Sequence, residues 1–327
     1  MWSHKSVIHF DQSQKKNGIP NRQSCHQRKG HWLIRIMLAY FTSMILVSCS
    51  LSPASTNTPL PGKLGEILRR GTLIVATDPE YPPQSELLAD IPRMQETRCA
   101  SNEYTANQLR GSDIEIAVEI ANRLGVEPCF VVPPWSQVVS GSWNDRWDLS
   151  IGSMAITSER MEALYFTQPY TTGAAVLFIH EDNTSYTKPA DLSGKRVGVC
   201  AGCAYEYYLN HTLVIPGVQM EYLIQDATAV GFDTDTTALA SLAKGDGIEL
   251  DAVLTDPDTG AQAIAEGMPL KMLGEPVYRD FVAAAIDKKS SADPLPFVRK
   301  ITELILQMHK DGFLSALALK FYAGDFA

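Results

Sequence analysis

What most constrains this chain is an alternation of period. Short β-rich apolar runs occur at residues 72–77 (TLIVAT), 128–132, 147–152 (WDLSIG), 174–179, 196–199, 220–224, 252–255 and 282–286, and each reads as a strand. Segments with helical spacing lie between them. Residues 113–124 put Ile114, Ala117, Val118, Ala121 and Leu124 on one face, with Asp113 as a cap and Gly125 as the stop. Residues 64–70 read as a short amphipathic turn closed by Gly71, and further helices are expected at 157–164, 204–210, 236–244, 259–266, 295–307 and 312–321, with 136–142 a short helix or loop. Strands alternating with helices imply an α/β fold with mostly parallel sheets. In such sheets ligands collect beyond the C-terminal strand ends. Residues 84–110 show no strong period and read as an inserted loop beside Tyr81. Such a loop would cover a cleft or meet a partner, and its deletion is expected to leave the fold intact.

The first fifty residues differ in character. The chain carries 28 Lys and Arg against 37 Asp and Glu. Seven of those bases and one of those acids lie in residues 1–49, so the rest holds 21 against 36, net −15. A body that acidic is a poor candidate for nucleic acid, and no nucleic-acid partner is expected, since Lys and Arg must neutralise phosphates. Arg28, Lys29 and Arg35 precede an apolar run to Val47, as in a secretory signal segment, and the run is short for a spanning helix. It ends in Leu46-Val47-Ser48-Cys49, which resembles the bacterial lipobox. Cys49 is therefore the expected lipidation site, with residues 50–63 a Ser/Thr/Pro tether. A retained membrane anchor of the same topology is the alternative. Either reading puts the body outside the cytoplasm, as a membrane-anchored protein of the periplasm or outer cell face.

Four cysteines remain in the body, Cys99, Cys129, Cys200 and Cys203, an even number suited to an oxidising compartment. Of three possible pairings, Cys99–Cys129 with Cys200–Cys203 is favoured. Residues 200–203 also form a C-x-x-C after a strand and before a helix, so a redox dithiol stands beside a structural disulfide. His180 and His211 are isolated and expected at the surface. HExxH, Walker A and zinc-ligand patterns are missing, and no metal or cofactor is expected.

Several strand ends carry a recognisable order: Ala76-Thr77-Asp78 with Tyr81; Gly111-Ser112-Asp113; Trp147-Asp148-Leu149 followed by Ile156-Thr157-Ser158-Glu159-Arg160; Phe166-Thr167-Gln168-Pro169-Tyr170; Asp191 to Val199; and Ala252 to Asp256. Over residues 64–327 the chain resembles the type 3 extracellular solute-binding proteins, the amino-acid receptors of ABC importers. That resemblance implies the periplasmic-binding-protein fold: two Rossmann-like α/β lobes joined by two crossing hinge segments, with the ligand between them. Lobe 1 would be 64–170 plus 280–327 and lobe 2 would be 171–279, with crossings near 170–173 and 276–280.

An amino acid brings a carboxylate and an ammonium, and a buried site must pair both. Arg160, from the T-x-E-R stretch, is the carboxylate partner the resemblance implies, and a guanidinium fork suits that role. A surface pair with Glu159 is the plain alternative. Asp256, at a strand end, either pairs the ammonium or caps the next helix. Gly202 and Cys203 would offer backbone amides to the carboxylate. Ser153 and Ala155 match a further pair of head-group contacts, although Ala155 and Cys203 stand where the family often has hydroxyl or small polar residues. Tyr81 and Trp135 would sandwich the ligand side chain or serve as ordinary core. Asp78 would meet a polar or cationic tip, or cap a turn with Pro79. The resulting expectation is a non-catalytic receptor for a polar amino acid, partnered by an ABC permease. The alternatives are an enzyme on the same scaffold, such as a cyclohexadienyl dehydratase, or a sensor module.

Overall fold

A computed structural model describes residues 61–322, so the leader, most of the tether and Cys49 lie outside the described residues. Helix α1 (Gly62–Arg70) leads into β1 (Thr72–Ala76), every residue of which is buried. Strands β2 (Glu80–Tyr81), β3 (Ser85–Leu87), β4 (Tyr104–Thr105) and β5 (Leu109–Arg110) precede α2 (Ser112–Leu124) and β6 (Glu127–Val131). Then come α3 (Trp135–Val139), β7 (Leu149–Ser150), α4 (Arg160–Ala163), β8 (Leu164–Phe166) and the long β9 (Thr171–His180). Strand β10 (Arg196–Cys200), α5 (Ala204–Leu209), β11 (Thr228–Phe232), α6 (Asp235–Leu242), β12 (Ala252–Thr255) and α7 (Pro257–Ala265) follow. The chain closes with β13 (Leu270–Val282), β14 (Ala285–Asp287), α8 (Leu295–Lys310) and α9 (Phe313–Phe321).

These elements build two main sheets. The first runs β4-β6-β1-β7-β14-β8 and the second β11-β10-β12-β9-β13. In the first, β1 pairs in parallel with both β6 and β7; in the second, β10 pairs in parallel with both β11 and β12. The chain passes from the first sheet into β9 and returns from β13 to β14. Strands β9 and β13 pair antiparallel from Thr171↔Val282 to Ala175↔Tyr278, so the two crossings form one hydrogen-bonded ribbon. The fold is thus α/β with two Rossmann-like lobes.

Each sheet has its own core. Ile114, Ala117, Ile120 and Ala121 on one stripe of α2 pack with Leu73, Val75 and Phe130, and with Phe297, Ile301 and Ile305 of α8. Leu177, Val197, Val199 and Leu254 gather with Tyr208 and Tyr278 under the second sheet. A buried charge cluster fixes the start of the first. Lys63, 2% exposed, lies 3.0 Å from both Asp145 and Asp148, while Arg70 and the Ile74 amide also reach Asp148. With several partners at once, Asp148 is not left as an uncompensated buried charge.

Four expectations change. Residues 220–224 are not a strand; the second sheet takes 228–232 instead. That strand is an edge and only partly buried, so it lacks the apolar signature of a central one. Asp113 does not cap α2: the N-cap is Gly111, and the Asp113 carboxylate accepts from Ser153 Oγ at 2.9 Å and Tyr170 Oη at 2.9 Å. His180 is 7% exposed at the end of β9, where its Nδ1 accepts from the Asp182 amide; His211 is exposed as expected. Residues 84–110 are not a free loop. They supply β3, β4 and β5, with β4 pairing to β6 and Cys99 bridged to Cys129 across 5.4 Å between α-carbons. Gly111 explains the close seating of this segment. Its φ is +128°, and a Cβ there would meet the Gln84 carbonyl oxygen at 2.1 Å. Deletion of 84–110 would therefore remove an edge strand and a staple, contrary to a loop that the fold can spare.

Candidate functional site

Two adjoining cavities open between the sheets. One, about 420 Å³ with its mouth, holds Arg160, Asp78, Asp235, Asp280, Trp135 and the Cys200–Cys203 bridge. The other, about 460 Å³ with its mouth, holds Gln84, Asp256, Asp258, Tyr322 and Asp280.

Arg160 is placed by the short α4, whose first amide donates to Thr157 Oγ1 at 3.2 Å. Only 3% exposed, it donates Nη1 to the Ala155 carbonyl at 3.0 Å and Nη2 to the Gly202 carbonyl at 3.1 Å. Its guanidinium lies 5.6 Å from the centroid of Trp135. Trp135 thus backs the guanidinium, and Nε of Arg160 is buried without a partner. Burial pulls the Arg160 pKa down, against the nearby Tyr207 and Tyr278 hydroxyls and the Asp280 charge. A carboxylate ligand would satisfy Nε and compensate the charge together.

The acids opposite are strained by burial. Desolvation raises Asp78 to about 6, with the Glu80 amide hydrogen bond pulling back and the Glu80 charge adding. It raises Asp235 to about 7, against a 2.6 Å hydrogen bond from Thr255 Oγ1. It raises Asp280 to about 6, opposed by the Arg160 charge and the Gly173 amide. Asp280 Oδ1 is buried with no hydrogen-bond partner. Gly173 makes room for it, because a Cβ there would stand 2.2 Å from that oxygen. Asp256 is raised to about 7 by burial and by the Asp258 charge.

Asp78, Tyr81, Trp135, Ser153, Ala155, Arg160 and Cys203 all line the cavity around Arg160. Asp256 does not; it opens on the neighbouring cavity, caps α7 through the Asp258 and Thr259 amides, and accepts from Gln84 Nε2 at 3.0 Å. Gly202 lines neither and takes part through its carbonyl alone. Its amide donates to Glu206 at 2.7 Å. Ser153, at φ +48°, spends its hydroxyl on Asp113. Tyr81 Oη meets Tyr205 Oη of α5 at 3.0 Å, joining the walls across the cleft.

Asp235, Asp280 and Tyr205 are not singled out by the sequence. Asp235 had a signal. It follows β11 as Asp256 follows β12, an acid at a C-terminal strand end. Misplacing that strand hid it. Among the described residues, Cys200, Cys203 and Asp235 also lie close enough together to ligate a metal, but the two sulfurs are bonded to each other.

Two crossed α/β lobes with a charged, buried cleft between them define a solute-binding protein. The chain belongs to the bacterial extracellular solute-binding proteins of family 3, whose model matches residues 100–324. It is 28% identical over 266 residues to the L-cystine-binding protein TcyJ of Escherichia coli (strain K12), covering 81% of this chain and 87% of that one. Its fold matches the amino acid ABC transporter substrate-binding protein AbpA of Streptococcus pneumoniae bound to L-arginine (TM-score 0.62, 22% identity, 80% and 99% of the chains). It also matches the ancestral amino acid-binding protein AncCDT-1, a precursor of cyclohexadienyl dehydratase (TM-score 0.62, 24% identity, 80% and 99% of the chains). Among the described residues no helix is long and apolar enough to cross a membrane.

Proposed function

We propose that this chain is a non-catalytic receptor that captures a polar amino acid between two closing lobes, 64–170 plus 280–327 against 171–279, and delivers it to an ABC permease. Family membership supports the transport role, and the lipobox-like Leu46–Cys49 supports a lipid-anchored receptor outside the cytoplasm. The observation that carries the ligand class is Arg160, buried with an unpartnered Nε in the same cavity as Asp78, Asp235 and Asp280. Arg160 takes the α-carboxylate and one of these acids takes the α-ammonium. Contacts from both walls favour the closed state, because a ligand drives closure only through its differential affinity for the two states.

Thermal unfolding of the purified chain against the twenty amino acids, cystine and prephenate tests this. A ligand at about 100 times its dissociation constant adds about 2.7 kcal/mol, a shift of roughly 5–10 °C in a domain of this size. A shift with a related set of amino acids is expected. A flat amino-acid panel, or turnover of prephenate, would overturn the reading.

A further inference from the structure

The two disulfides differ in their surroundings. Cys99 and Cys129 are both buried and line neither cavity. Cys200 is buried at the end of β10, but Cys203 is only half-buried, and both line the cavity around Arg160. A disulfide opens when a thiolate attacks one of its sulfurs, so access decides which bridge reacts. Cys203, the more exposed of its pair, is the sulfur that a reagent in the cleft can reach.

This bridge closes the turn on which Arg160 leans. Gly202 lies inside it at φ +75°, and its carbonyl accepts from Arg160 Nη2 at 3.1 Å. The Cys203 amide donates to the Cys200 carbonyl at 3.2 Å. Cys203 is also the N-cap of α5, which carries Tyr205 and its hydrogen bond to Tyr81 across the cleft. Two thiols cannot occupy the separation of a bonded pair, so opening the bridge drives the sulfurs apart. Cys200 is held in register with Phe232 of β11, which leaves Cys203 as the partner that moves. The Asp235 carboxylate lies within 4.8 Å of both sulfurs and offers freed thiols an acceptor.

We propose that Cys200–Cys203 is a redox-active site and that its state sets the ligand affinity of the cleft. A dithiol reductant supplies the electrons. Its first thiolate attacks Cys203 Sγ, the S–S bond breaks, and Cys200 leaves as a thiolate that takes up a proton. Its second thiolate attacks the mixed disulfide, closes the reductant's own disulfide and releases Cys203, which is protonated in turn. Two electrons and two protons thus pass to the protein. The Gly202 carbonyl then withdraws from Arg160, and the guanidinium is no longer held where a ligand's carboxylate meets it. The bridged cleft is the tight-binding form and the open dithiol the weak one. This rests on the receptor reading of Arg160. Linkage makes the effect reciprocal, so a ligand that prefers the bridged form protects the bridge from reduction by the same factor.

The test is calorimetric titration of the full chain with the amino acid that most stabilises it in thermal unfolding, before and after dithiothreitol. Alkylation and peptide mapping show which bridge has opened. Dithiothreitol is expected to open Cys200–Cys203 before Cys99–Cys129 and to weaken binding about tenfold, the scale of one hydrogen bond to a charged group. Saturating ligand should shift the reduction equilibrium back toward the bridge by that same factor. The loss should persist in the Cys99→Ser, Cys129→Ser double variant. It should be absent in the Cys200→Ser, Cys203→Ser double variant, whose affinity is low with or without reductant. Unchanged affinity once the bridge is open overturns the proposal, as does a bridge that dithiothreitol does not open in the folded chain. Either result leaves the amino-acid receptor standing, whereas failure to bind any amino acid in both redox states overturns both. Should a serine variant not fold, the redox titration of the unmodified chain decides alone.

Discussion

The first sheet brings the guanidinium of Arg160 to the cleft, backed by Trp135, while the second brings Asp235, Asp256 and Asp258 from the turns after β11 and β12. Each side also has one disulfide, in opposite places. Cys99–Cys129 joins residues 30 apart at the edge of the first sheet and lines neither cavity. Cys200–Cys203 joins residues three apart and lies in the cleft wall beside Arg160. One wall is therefore held from outside and offers Arg160 together with a single acid, Asp78, which follows β1. The other is stiffened at the ligand surface and offers several acids. On the proposed reading, the ligand's carboxylate goes to Arg160 of the first wall and most of the acids that could meet its ammonium stand on the second.

Arg160→Ala is the change expected to break the comparison most completely. Among the described residues it removes the one Lys, Arg or His that lines either cavity, and it leaves Asp280 without its compensating charge. Truncating one member of a buried charge pair costs about 2–5 kcal/mol of binding, a loss of roughly 30-fold to several thousand-fold in affinity. Calorimetry with the amino acid that most stabilises the unmodified chain in the thermal-unfolding panel reads it, and circular dichroism checks that the fold persists. A folded variant with unchanged affinity would remove the first wall from carboxylate recognition.

The disulfides separate stability from binding. In the chain-entropy account, closing a loop of about 30 residues stabilises by about 3–4 kcal/mol, and closing one of a few residues by about 2 kcal/mol. Replacing Cys99 and Cys129 with Ser should therefore lower the unfolding temperature more than replacing Cys200 and Cys203, with affinity kept. The Cys200 and Cys203 double replacement should instead alter affinity, because its atoms line the cleft. Equal effects of both pairs on affinity would erase the contrast between an outer staple and a wall staple.

The sequence made the first wall more legible than the second. Strand β1, α2 and the Trp147–Arg160 stretch have strong periodicity or tightly spaced polar residues, and they were found within a few positions. The second wall was harder for physical reasons. Strand β11 is an edge whose residues are only partly buried, so its hydrophobic signal is weak. Strand β13 runs Leu270–Val282 through Gly274, Glu275 and Pro276, where its pairing with β9 shifts register, so no continuous pattern marks it. Asp280 is invisible for a further reason. Its burial follows from the ribbon of β9 and β13 and from the absence of a side chain at Gly173, both tertiary facts. Arg160 and Asp78 could be read from local order, whereas Tyr205 reaches the cleft through the packing of α5 against the other wall.

The smallest expected effect concerns what the second wall's acids do to the empty protein. Asp235 is raised by burial from 3.8 to about 7, so between pH 4 and 7 the folded chain holds a proton that the unfolded chain has released. Stability from this group is complete below about pH 4 and is lost as pH rises through 7. Asp256 and Asp280, and Asp78 of the first wall, act in the same direction. Asp145 acts in the opposite one: against burial, hydrogen bonds from Ser291, Lys63 and Ser290 hold it below the usual carboxylate range, so its contribution falls away only under strong acid. The window from pH 5 to 7.5 thus covers the cleft acids, together with Asp113, which burial raises to about 6. Asp235→Asn should raise the unfolding temperature of the ligand-free chain at pH 7.5 by roughly 2–4 °C, about 1 kcal/mol. At pH 5 it should change little, since Asp235 is already neutral there. Ligand-induced stabilisation at pH 7.5 should shrink in the same variant. If the unfolding temperature at pH 7.5 stays put while ligand stabilisation is intact, Asp235 is a satisfied structural acid, and the second wall's charge reduces to Asp280 and the Asp256–Asp258 end.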